Sequence, residues 1–156
     1  MGLDMYLNKK TYIGANYKHN YVKGTIKLTH GEDKKPFNID LKRVSEIVER
    51  VGYWRKANQI HNWFVKNVQE GVDNCAEYYV STDQLKQLLS DCQKVLIDSK
   101  MAESVLPTKS GFFFGGTDYD ECYTQEINDT IEIIESVLKE KQDPNDRGEI
   151  YYTSSW

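Results

Sequence analysis

The order of apolar and polar positions divides the chain into short strands and amphipathic helices. Gly2–Leu7 alternates Leu3, Met5 and Leu7 against Asp4 and Tyr6, the period-2 pattern of a half-buried strand. Asn8–Gly24 is polar, punctuated by Gly14 and Gly24, and reads as a long loop with a short strand at Tyr12-Ile13. Thr25–Thr29 alternates again, His30–Asp33 has turn chemistry, and Phe37–Ile39 suits a returning strand after Pro36. Asn38 or Asp40 can then cap a helix whose stripe is Leu41, Val44, Ile47, Val48 and Val51.

Gly52 interrupts that stripe, and the spacing predicts a central helix from there to about Gln69, stopped by Gly71. Trp54, Ala57, Ile60, Phe64, Val65 and Val68 would share its apolar face, with Arg55, Gln59, Asn62 and Lys66 on the wet side. Glu77–Val80 is a strand of β-forming residues. Ser81-Thr82-Asp83-Gln84 has the S-x-x-Q form of a capping box and opens a helix to about Asp98. Its stripe is Leu85, Leu88, Leu89, Cys92, Val95 and Leu96. After the loop Pro107–Gly116, Thr117 caps a last long helix with Asp120 at the reciprocal position, and Tyr123, Ile127, Ile131, Ile134 and Leu138 carry it to about Lys141. Gln142–Arg147 breaks the helix around Pro144, and Glu149–Thr153 makes a final strand. Strands at both ends and in the middle, with helices between, predict one α+β domain: about four helices packed on a small, mostly antiparallel sheet.

Composition narrows the function classes. A chain of 156 residues, 39% hydrophobic and 28% charged, suits one soluble domain. A net charge of −4 gives no reason to expect direct DNA or RNA binding. No apolar run approaches the roughly 20 residues that span a bilayer, so no membrane contact is expected. The N-terminus lacks a basic-then-apolar signal pattern, and Tyr6 stands where a myristoylation signal has Ser or Thr. The three cysteines, Cys75, Cys92 and Cys122, have no C-x-x-C spacing and read as reduced, mostly buried thiols. Eleven tyrosines suit half-buried sheets and binding surfaces alike.

Candidate chemistry gathers around His61. This titratable ring projects from the apolar face of the predicted helix, with Asn58 on its border one turn earlier. A buried polar ring needs a partner, so His61 is either a satisfied core residue or part of a pocket wall. Trp54, Arg55, Asn58, His61, Asn62 and Trp63 combine aromatic, guanidinium and amide groups, a set that suits a planar, anionic ligand. His19, His30 and His61 lack metal-ligand spacing, and Asp118, Asp120 and Glu121 fit a first helical turn better than a cation site. Neither metal nor cofactor is expected. Gly115-Gly116 precede a helix, but the spacing is not that of a phosphate loop. The glycines read instead as a tight turn, with some of Phe112–Phe114 anchoring the loop in the core; the alternative is that Phe112, Phe113, Gly115 and Gly116 form the rim or lid of a pocket, since three consecutive phenylalanines cannot all point inward.

Three blocks together resemble a group of small proteins encoded by phages and prophages: Met1-Gly2-Leu3-Asp4-Met5-Tyr6-Leu7, the run Tyr53-Trp54-Arg55-Lys56-Ala57-Asn58-x-Ile60-His61-x-Trp63-Phe64, and Ser110-Gly111-Phe112-Phe113-Phe114-Gly115. The resemblance carries over no catalytic residues. It implies a viral or prophage accessory protein in the bacterial cytoplasm, where blocking a host defence protein and sequestering a nucleotide signal are common roles. The first expectation is therefore a protein that binds a small anionic or nucleotide-like ligand through Tyr6, Trp54, Asn58, His61 and Asn62, with Arg55 as the anionic anchor. The alternative is an inhibitor of a host protein acting through an acidic, Tyr-rich surface. A third reading is a small hydrolase using His61 with Asp4 or Cys75. An open pocket containing His61 favours the first, and a closed core beside an exposed aromatic patch favours the second.

Overall fold

Alternation along the first strand sets the two faces of the sheet. In the computed structural model, which describes residues 2–13, 31, 39 and 43–156, β1 (Asp4–Tyr12) buries Met5 and Leu7 on one face. Antiparallel partners flank it, β2 (Glu46–Arg55) on one edge and β4 (Glu149–Ser155) on the other, and β3 (Tyr78–Val80) pairs with β4. The strand order is β2-β1-β4-β3. Among the described residues, four α-helices accompany the sheet: α1 (Asn58–Asn67), α2 (Thr82–Ile97), the short α3 (Ala102–Val105) and α4 (Glu121–Glu140). The architecture is α+β with an antiparallel sheet.

One core joins the layers. Met5, Leu7, Trp54, Ile150 and Tyr152 from the sheet meet Ile60 and Phe64 of α1, Leu85 and Leu88 of α2, and Ile127 and Ile134 of α4. Tyr6, Tyr53, Tyr79 and Tyr151 occupy the opposite face, because the register pairs Tyr6 with Tyr53 and Tyr79 with Tyr151. That face is mixed in charge, with Lys10, Arg50 and Arg55 beside Asp4, Glu46 and Glu149. No helix of the described residues is long and apolar enough to cross a membrane.

The capping box at Ser81 is present in both directions, and α2 buries Leu85, Leu88, Cys92 and Val95. Leu96, expected in that stripe, is exposed, since Val95 already completes the buried row. Asp120, not Thr117, caps α4, accepting from the Tyr123 amide at 3.0 Å. β1 extends through Asn8–Tyr12, a segment expected to be loop, because β2 and β4 both supply it with backbone partners. Cys92 is buried, whereas Cys75 and Cys122 are exposed, against the expectation of mostly buried thiols.

The largest correction falls on Val44–Arg55. Ile47, Val48 and Val51 belong to a strand, and Trp54 and Arg55 end that strand instead of opening the central helix. β-Branched residues pack well in a sheet, and β1 otherwise lacks a partner on that edge. Gly52 is not a helix break but a close approach: a Cβ there would meet Ile133 Cγ2 at 2.7 Å, where α4 lies on the sheet. The strand expected at 25–29, the turn at 30–33, the return at 37–39, the cap at Asn38 or Asp40, and Leu41 lie outside the described residues, Gly31 and Ile39 excepted. His19 and His30 lie outside them as well.

Candidate functional site

Helix α1 buries every residue from Asn58 to Val65, polar ones included. Gln59 and Asn62, expected on a wet side, are walled in because the loop after α3 and the start of α4 cover the face away from the sheet. Asn62 Nδ2 donates to the Pro107 carbonyl at 3.1 Å, and Gln59 Nε2 donates to Glu126 Oε2 at 2.7 Å. Asn58 pins the same loop at three points. Its Nδ2 donates to the carbonyls of Phe114 (3.2 Å) and Gly116 (2.7 Å), and its Oδ1 accepts from the Lys109 amide at 2.8 Å. A side chain used so fully by the backbone has little left for a ligand.

His61 is 0% exposed. Its Nδ1 lies 2.7 Å from the Tyr152 hydroxyl and its Nε2 lies 3.0 Å from Asp73 Oδ1. An ionised Asp73 accepts, so Nε2 carries the proton and Nδ1 accepts from Tyr152. The second Asp73 oxygen is 3.5 Å from Lys109 Nζ, and the Phe114 ring stands edge-on to the imidazole with centroids 5.3 Å apart. Burial lowers the imidazole pKa from its ordinary 6.5, against the opposing pull of Asp73. As pH falls below 6.5, the unfolded chain takes up a proton that the folded chain resists, so stability drops. Chemical denaturation between pH 5 and 7 should show the wild type losing stability toward acid, and His61→Gln should lose less over that interval.

The other sequence candidates do not converge on one cavity with His61. Trp54 is buried in the core, its indole N–H donating to Thr130 Oγ1 at 2.9 Å. Tyr6 lies on the opposite sheet face, 5.5 Å from the Tyr53 ring, with the Arg50 guanidinium 4.6 Å over it. Period-2 alternation makes this separation unavoidable, since Met5 faces the core. Asp4 accepts the Tyr53 hydroxyl at 2.5 Å, and Cys75 is exposed, so neither stands among the His61 partners.

The remaining candidates fall in separate openings: Asn62 lines a small one of about 160 Å³ with Trp63, Lys66 and Pro107. A groove of about 460 Å³ is lined by Phe112, Phe113, Phe114, Trp156 and the Asp73–Lys109 pair. Phe112 is 86% exposed, Phe113 41% and Trp156 49%, while Phe114 alone is buried. On another side, Arg55, Lys56, Gly115 and Gly116 share a cavity of about 300 Å³ with Gln59, Asp118, Asp120 and Glu126. Asp73, Lys109, Gln59, Glu126 and Trp156 escaped the sequence reading as site residues. Only Trp156, a large aromatic following a strand of alternating pattern, carried a local signal.

The chain matches no protein-family model, no curated protein and no solved structure.

Proposed function

We propose that this protein works by binding another protein, with an apolar side chain of the partner seated in the groove between residues 110–114 and Trp156. The carrying observation is the exposure of Phe112, Phe113 and Trp156 around that groove. Large aromatic side chains grouped on a surface mark contact sites, and aromatic anchors dominate interface energetics. Its two charged groups, Asp73 and Lys109, face each other at 3.5 Å. An uncharged anchor therefore suits the groove better than an anion. The tyrosine-bearing sheet face begins at the same end of the molecule, where Asp4 pairs with Arg55 and Ser155 and the Leu3 amide donates to the Phe113 carbonyl. The phage or prophage setting that the sequence blocks imply makes a host defence protein the partner we propose.

The other readings have less support. For a small anionic or nucleotide-like ligand, Arg55 and Lys56 are offered beside three carboxylates, and Lys109 is already paired. A hydrolase would need its substrate to reach an imidazole that is 0% exposed.

Selection of random displayed peptides on the immobilised full chain tests the proposal. Enriched peptides should share one apolar or aromatic anchor, and Phe112→Ser with Trp156→Ser should weaken them by about tenfold or more in a calorimetric titration. Peptides without a common anchor, or binding left unchanged by the double variant, would sink it.

A further inference from the structure

Side-chain amides and backbone bonds fix the walls of the aromatic groove before anything enters it. Asn58 holds the Lys109 amide and the Phe114 and Gly116 carbonyls, and Asn62 holds the Pro107 carbonyl. The Leu3 amide adds a bond to the Phe113 carbonyl at 3.2 Å. The Phe114 ring lies directly on the loop backbone, since a Cβ added to Gly111 would meet it at 2.5 Å. The rings do not make one flat wall. Phe112 and Phe113 cross at 74° with centroids 4.5 Å apart, and Phe114 and Trp156 cross at 62° with centroids 6.3 Å apart. Crossed rings leave ridges and slots, a shape that complements a compact, rigid aliphatic group better than a flat one.

The hydrogen-bonding groups of the groove are unequal. The Gly111 carbonyl already accepts from the Phe113 and Phe114 amides, the Phe113 carbonyl from Leu3, and the Phe114 carbonyl from Asn58. Asp73 meets His61 with one oxygen and Lys109 with the other. The Trp156 indole N–H, by contrast, makes no hydrogen bond within the described residues, and the residue is 49% exposed. An indole nitrogen can only donate. An ordinary extended peptide brings N–H groups that need acceptors as well as carbonyls that need donors. A proline brings a carbonyl and no N–H.

We propose, on the reading of this groove as a protein contact, that its occupant is a proline-rich segment of the partner in the polyproline II conformation. A pyrrolidine ring fills a slot between the crossed aromatic rings, and a backbone carbonyl of the segment accepts from Trp156 Nε1. The segment carries no charge at the groove, in keeping with an Asp73–Lys109 pair that is already closed on itself. Polyproline II is ordered before binding, so a fixed groove and a fixed ligand lose little conformational freedom when they meet.

The test is an NMR titration of the full chain with three capped octapeptides, followed at the Trp156 indole N–H and the amides of residues 110–114. One peptide is oligoproline, and the other two are Gly-Ser chains with a central leucine or a central phenylalanine. Oligoproline should give saturable shifts at those signals and bind at least about tenfold more tightly than either Gly-Ser peptide. Trp156→Phe keeps an exposed ring and removes the N–H, so it should weaken oligoproline by about threefold to tenfold, the net worth of one hydrogen bond. Silence with oligoproline, equal affinity for all three peptides, or unchanged affinity in Trp156→Phe overturns the assignment to proline. Shifts at the same signals from the leucine or phenylalanine peptide alone would overturn it too, while leaving the groove a protein contact.

Discussion

Phe64→Ala will lower the unfolding free energy by about 3–5 kcal/mol, the range for a large aromatic removed from a closed core. The Phe64 ring is fully buried and stacks on Tyr152 with centroids 3.9 Å apart and planes 8° from parallel. Trp63 meets it edge-on at 5.4 Å, and Trp54 lies 6.0 Å away. These contacts join α1 to both β2 and β4, so neighbouring side chains cannot close the space without moving a strand. Loss of the stacked pair adds about 0.5–1.5 kcal/mol to the area term. The damage should also reach His61, since the ring that Phe64 covers is the one whose hydroxyl bonds the imidazole. Urea denaturation followed by circular dichroism measures the change, with an unaltered slope required for a clean comparison. A loss below about 1 kcal/mol would mean that α1 does not bind the sheet through this face.

What the sequence made legible was what is local. The Ser81 box, the α2 stripe and the long α4 pattern depend on residues three and four apart, and they appear within a few residues of their expected places. Val44–Arg55 was different. Ile47, Val48 and Val51 fit a helical stripe by spacing and a strand by side-chain shape, and the choice was made by β1, some forty residues away in the chain. Gly52 looked like a helix break because Ile133, which it admits, lies far along the sequence. The site followed the same rule. His61 was recognisable as a polar ring needing a partner, but its partners stand 12 and 91 residues away. By spacing, Asn58 falls on the border of the apolar face and Gln59 on the wet side, and only the packing of the 107–116 loop and α4 buries them. The phenylalanine run divides as steric reasoning required, with one ring inward and two outward, although nothing local says which.

His61→Ala separates a core histidine from a ligand-binding one, and it should cost about 2–4 kcal/mol of stability. Two losses combine. The imidazole leaves a cavity between Phe114 and Tyr152, and it leaves the Tyr152 hydroxyl without its partner. Asp73 suffers less, because it is partly exposed and keeps Lys109 at 3.5 Å. The orphaned hydroxyl makes the argument testable by a cycle. Tyr152→Phe added to His61→Ala removes the stranded group, so the double variant should be destabilised by less than the sum of the two single changes. A coupling of about 0.5–1.5 kcal/mol in that direction is expected from thermal and urea unfolding of the four proteins. If His61→Ala instead left stability within about 0.5 kcal/mol of the wild type, the ring would not be a structural member of the core. The closed, mutually bonded network of His61, Asp73 and Tyr152 would then have to open in solution, and the hydrolase reading would regain the access it lacks.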